Sequence, residues 1–180
     1  MERVLTRPIA LDQRLSAVFG VALFAGLTAL GAFVRLPLPF TPVPVTLQVF
    51  FVLLSAVMLG RKAAISQALY LALGAAGLPL FTGAAGGFSH LLGPTGGYLL
   101  GFVAAAWVTG SIAGRYRGAA ATLLALLAGV AVIYLCGVIQ LAMLLKLTPP
   151  AALRLGALPF IAGDLLKTAA VLAVARGMRR

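Results

Sequence analysis

Apolar residues in this chain arrive as long unbroken runs, at 16–34, 45–59, 63–77, 98–113, 119–145 and 157–175. A helix rises about 1.5 Å per residue, so about 20 apolar residues cover the hydrocarbon core of a bilayer. The pattern predicts an all-α integral membrane protein built as a bundle of six transmembrane helices in a single domain. The second run is short for a crossing, so its helix is expected to extend into the preceding loop or to be partly buried by protein. The fifth is long enough to tilt or protrude.

The connectors alternate between two kinds. Gly60-Arg61-Lys62 and Gly114-Arg115-Tyr116-Arg117-Gly118 are short basic turns. Between them in sequence and in alternation lie long, stiff ones. Positions 37, 39, 42 and 44 are all proline, which forbids a continued helix and favours an extended segment. Gly77–Gly97 carries seven glycines and two prolines in 21 residues, so its backbone can approach a ligand or a neighbouring helix closely. Lys146-Leu-Thr-Pro-Pro150 and a short amphipathic piece with Arg154 form the third. An outward-facing cup covered by Gly/Pro-rich loops is the economical reading.

Charge supplies the orientation. Residues 1–15 form a polar tail, and the run that follows lacks a small-residue exit site, so no cleavable signal peptide is expected. The tail, the two basic turns and the C-terminal arginines hold ten of the 14 Lys and Arg, against four on the other side and its spans. By the positive-inside rule both termini are cytoplasmic. A net charge of +11 would suggest nucleic acid in a soluble protein, but no basic stripe interleaves with stacking aromatics, so no nucleic-acid partner is expected. Membrane lipid is the expected surrounding.

Several chemistries are unsupported. Cys136 is the single cysteine and His90 the single histidine, too few for a metal cluster, and no cofactor is expected. The Gly-x4-Gly-Lys-Ser/Thr phosphate loop is absent, and no second acid or Ser-His set accompanies Asp164 to make a catalytic group. The chain reads as a non-enzyme.

What remains is a charge at membrane depth. Of three acidic residues, Glu2 and Asp12 lie in the tail, and Asp164 sits inside the last apolar run with Lys167. A charge there costs about 2.5–3.5 kcal/mol on insertion scales, so it normally faces a polar cavity or a partner. Three residues apart on a helix, the two share one face. They either neutralise each other or present a carboxylate and an ammonium to a ligand, and both can hold at once. Gln48, Thr82, Thr95, Tyr98 and Gln140 gather in the same outer half, although an interhelical hydrogen bond explains Gln48, Thr82 or Gln140 equally well. In the first run Ala22, Ala25, Gly26, Ala29 and Ala32 let another helix approach, in this chain or in a partner.

Four motifs occur together in order: Pro39-Phe-Thr-Pro-Val-Pro-Val-Thr-Leu-Gln48, Gly77-Leu-Pro-Leu-Phe81, Gly93-Pro-Thr-Gly-Gly-Tyr98 with Gly101-Phe102, and Pro159-Phe-Ile-Ala-Gly-Asp164-Leu-Leu-Lys167. Over nearly the whole chain the sequence resembles the BioY family. The resemblance implies a biotin-binding S-component of an energy-coupling factor (ECF) transporter, in the cell membrane of a prokaryote. Its partners would be a transmembrane coupling protein (T-component) and ABC-type ATPases that drive uptake. By that similarity Asp164 and Lys167 match polar ligand-binding positions, and Gly96, Gly97 and Tyr98 belong to the substrate-side loop. Thr82, Gln48 and Gln140 are further candidate contacts. Ala25 and Ala29 fit the Ala-x-x-x-Ala surface for docking on the coupling protein. The alternative is a solitary biotin or small-solute carrier without an ATPase module.

Overall fold

The computed structural model describes residues 7–178, with side chains from Arg14 onward. Residues 1–6 of the expected polar tail, and Arg179 and Arg180, lie outside the described residues. The rest of that tail is the beginning of helix α1 (Arg7–Phe33). A two-rung antiparallel ladder follows, β1 (Arg35–Leu36) pairing with β2 (Val45–Thr46), Arg35 opposite Thr46. The proline segment between them is thus a closed strap, where the sequence indicated only an extended loop. Next come α2 (Gln48–Leu59), a 3₁₀ turn at Gly60–Lys62, and α3 (Ala63–Ala75). Beyond the Gly-rich connector with its short helix α4 (Phe88–Leu91) lie α5 (Gly96–Arg115), α6 (Ala119–Leu145), α7 (Pro149–Gly156) and α8 (Ile161–Gly177).

By length and composition four helical stretches suffice to cross a membrane: Arg14–Phe33, Gln48–Ala75, Gly96–Arg115 and Ala119–Leu145. The pair α7 and α8, bent by 53°, makes a fifth. The count falls below six because α2 and α3, with 12 and 13 residues, are each short. They are not one rod, however. Gln48 Nε2 donates to Tyr70 Oη at 2.7 Å and Gln67 Nε2 to Ser55 Oγ at 3.3 Å. A straight helix would hold Gln48 and Tyr70 about 33 Å apart. The chain therefore folds back at Gly60, whose φ of +59° suits glycine.

The connectors sort to two ends. At one, Arg61 lies over the Trp107 ring, 5.1 Å from its centre, and a Cβ at Gly110 would strike the Gly60 carbonyl. The α2–α3 turn therefore meets the C-terminal part of α5. At the other end Thr41 of the strap donates to Leu155 O at 2.9 Å, and Tyr98 Oη donates to Gly156 O at 2.7 Å. Strap, Gly-rich connector and α7 meet there.

Glycine sets the tightest helix contact. Side chains at Gly97 of α5 or Gly137 of α6 would run into the Cys136 carbonyl and the Tyr98 ring, so α5 and α6 pack nearly backbone to backbone. Around them Val52, Leu53, Ala105, Ala106 and Leu126 are fully buried.

The docking assignment of Ala25 and Ala29 is corrected. They are 5% and 6% exposed and belong to the core, on the α1 face that packs against α2 and α3. Their small size lets helices of this chain approach. Of the small residues from Ala22 to Ala32, Ala22 and Gly26 stay exposed, the latter with nothing within 4 Å of an added Cβ.

Candidate functional site

The first turn of α8 carries Asp164, where a carboxylate is favoured by the positive end of the helix. Lys167, one turn on, closes an ion pair at 2.7 Å from Nζ to Oδ1. Tyr134 of α6 donates to the other carboxylate oxygen, Oδ2, also at 2.7 Å. Only 4% of the Asp164 side chain and 13% of the Lys167 side chain are exposed. A buried ion is tolerated when paired and hydrogen-bonded, and here both conditions are met.

This trio forms part of the wall of a cavity at the end of the bundle where strap, Gly-rich connector and α7 meet. The cavity holds about 520 Å³ of space free of atoms, its open mouth included. Val43, Val45, Val49, Leu99, Phe102 and Phe160 give it an apolar lining. Gln48, Thr46, Thr82, Thr95 and Tyr98 join the wall with Asp164, Tyr134 and Lys167. Its composition, mostly apolar with a few placed polar groups, is that of a small-molecule site.

A second polar knot holds the roof. Gln48 is 2% exposed, and its Oε1 accepts from Thr46 Oγ1 at 3.2 Å and Thr82 Oγ1 at 3.4 Å. Its Nε2 donates to Tyr70, which in turn donates to Leu80 O at 3.3 Å. One amide thus ties strap, α2, α3 and Gly-rich connector together. Beside it the His90 ring stacks on the buried Phe81, centres 5.1 Å apart, and shares a hydrogen bond of 3.2 Å with Thr95 Oγ1. Burial holds the His90 imidazole below its ordinary pKa.

Of the residues singled out from sequence, Asp164, Lys167, Tyr98, Thr82 and Gln48 reach the cavity. Gly96, Gly97 and Gln140 stand outside its lining. Gln140 Nε2 donates to Leu91 O and Gly93 O, both at 2.8 Å, and so clamps the end of α4. A Cβ at Gly96 would meet the Leu91 carbonyl, so this glycine admits the same crossing chain. Tyr134 is the group not singled out. It lies in an apolar run 30 residues from Asp164, and only its phenolic hydroxyl hinted at a buried partner. Among the described residues no cluster of three His, Cys, Asp or Glu is placed to hold a metal.

A helical membrane protein with a small amphipathic cavity under loops at one end, and a buried ion pair in that cavity's wall, has the form of a solute-binding transporter component. Comparison with a crystal structure of the S-component for biotin from an ECF-type ABC transporter gives a TM-score of 0.87 at 27% identity, over 93% of each chain. The model of the BioY family matches residues 6–180, and the chain belongs to the BioY family. It is 42% identical over 160 residues to a probable biotin transporter BioY of Pyrococcus horikoshii, covering 88% of this chain and 93% of the relative. With the biotin transporter BioY of Thermotoga maritima it shares 40% over 159 residues, covering 88% and 92%.

Proposed function

We propose that this chain is the biotin-binding S-component of an ECF-type uptake transporter. The observation that carries the reading is the buried Asp164–Lys167 pair in the wall of an apolar cavity, in a BioY-family chain. Biotin is amphipathic: a ureido ring with N–H donors and an oxygen, an apolar bicycle and chain, and a carboxylate. The Asp164 carboxylate retains lone pairs for ureido N–H groups, and Lys167 retains two N–H donors for a carboxylate or a ureido oxygen. Val43, Leu99, Phe102 and Phe160 supply the apolar middle.

In this reading α2 and α3 count as two antiparallel crossings, which makes six, with both termini cytoplasmic and the cavity facing outward. Each is short, and the strap and connector protect their outer ends. The coupling protein meets the open Ala22–Gly26 side of α1, where small residues four apart admit another helix. Partner ATPases supply the energy for uptake, and this chain supplies specificity.

The test is equilibrium binding of biotin to detergent-purified protein, beside an analogue lacking the ureido ring, with Asp164→Asn and Lys167→Ala. Ureido-dependent binding weakened by both substitutions supports the assignment. Absence of binding by well-folded protein sinks it. Biotin accumulation in liposomes holding this chain alone, without ATP, would favour a solitary carrier instead.

A further inference from the structure

At the end of the bundle away from the cavity, the α5–α6 turn frames a groove lined by Ile112, Arg115, Tyr116, Arg117, Ala121 and Leu124. It holds about 1110 Å³ free of atoms, its open side included. We propose that this groove binds an anionic phospholipid, with the headgroup phosphate on Arg115 and Arg117 and an acyl chain along Ile112, Ala121 and Leu124.

The argument rests on the vertical order of the chemistry. Arg115 closes α5, Tyr116 and Arg117 form the turn, and α6 leads back into the bundle from Ala119. Ile112 lies one turn before Arg115, and Ala121 and Leu124 lie on the first turns of α6, so the apolar lining is deeper than the cationic lining. Cation, aromatic ring and then alkyl surface is the order in which a phospholipid presents phosphate, interface and tail. The Arg115 guanidinium sits over the Tyr116 ring, 5.8 Å from its centre, with its fork still available for phosphate oxygens.

Charge complementarity selects the anionic class. The one acidic side chain described, Asp164, is held by Lys167 in the cavity at the far end, so no described carboxylate competes for these arginines. Leu124 is 65% and Tyr116 55% exposed, so an apolar wall stands open beside the charge. The neighbouring basic turn differs. There Arg61 lies over Trp107, and neither Arg61 nor Lys62 lines the groove.

The experiment is native mass spectrometry of the full chain titrated with phosphatidylglycerol or phosphatidylcholine. Wild type should retain phosphatidylglycerol in preference. Arg115→Ala with Arg117→Ala should weaken that binding by about thirtyfold, from two cationic contacts of ordinary strength. The double change to lysine should retain most of it, and Leu124→Gln should weaken the lipid without affecting inorganic phosphate. Biotin binding serves as the folding control, since neither arginine touches the cavity. Three results would overturn the proposal: no preference between the lipids, an equal loss from Arg61→Ala with Lys62→Ala, or lipid binding unchanged by Leu124→Gln, which would mark a plain anion site.

Discussion

Tyr134 Oη lies 2.7 Å from Asp164 Oδ2, on the carboxylate oxygen that Lys167 does not hold. The acid is therefore aimed from two sides, by α8 and by α6. Hydrogen bonds to charged groups contribute about 1.5–3 kcal/mol, so Tyr134→Phe is predicted to weaken biotin binding by roughly ten- to a hundredfold while leaving the fold intact. Titration calorimetry on the variant checks this, and unchanged affinity would make Tyr134 a packing residue only.

The ion pair predicts a split between stability and binding. Removing one partner of a buried pair costs about 3–5 kcal/mol because the other charge is stranded. Lys167→Met alone should therefore lower the thermal midpoint more than Lys167→Met combined with Asp164→Asn. Biotin binding should be lost in both proteins. A double variant less stable than the single one would show that the pair is not what burdens the fold.

For Gln48 the prediction concerns the roof. Gln48→Leu keeps the bulk but leaves Tyr70 and two threonine hydroxyls without their shared partner. A destabilisation of about 1–3 kcal/mol is expected, concentrated in strap and connector. Limited proteolysis should cut residues 77–87 faster in the variant than in wild type. Equal rates would show that the knot does not restrain the connector.

His90 predicts a pH response. Its imidazole is held below the ordinary value of 6.5 by burial, so the folded protein favours the neutral ring. The sign follows: this contribution is present above the unfolded value and is lost as pH falls through the folded one. Between pH 7.5 and pH 5, wild type should lose more thermal stability than His90→Gln. The two melting curves shifting in parallel would remove His90 from the roof's titration.

Much of the site was legible because it is local. Asp164 and Lys167 are three apart on one helix, and a charge in an apolar run announces itself. Glycine and proline content likewise marked the two connectors that cover the cavity. The phase of α1 was not legible, since small residues recur at both Ala22/Gly26 and Ala25/Ala29, and only packing on α2 and α3 selects the buried set. The partners of Gln140 were equally hidden, because they are backbone carbonyls 49 and 47 residues away. Tyr134 escaped for a related reason: an aromatic in an apolar run resembles core until its hydroxyl is traced to another helix.

The last carbonyls of a helix are acceptors that need donors from outside it, and α7 finds two in the strap and in the cavity wall. Thr41 takes Leu155 O and Tyr98 takes Gly156 O. Freeing Thr41 from Leu155 exchanges one neutral hydrogen bond for water, a step of about 1 kcal/mol, while Thr46 keeps the strap's other end tied to Gln48. Disturbing the Asp164 pair costs several times more. The strap's Thr41 end is therefore held far more lightly than the Asp164 pair, so in the proposed reading the roof can give at that end while the charged wall keeps its geometry.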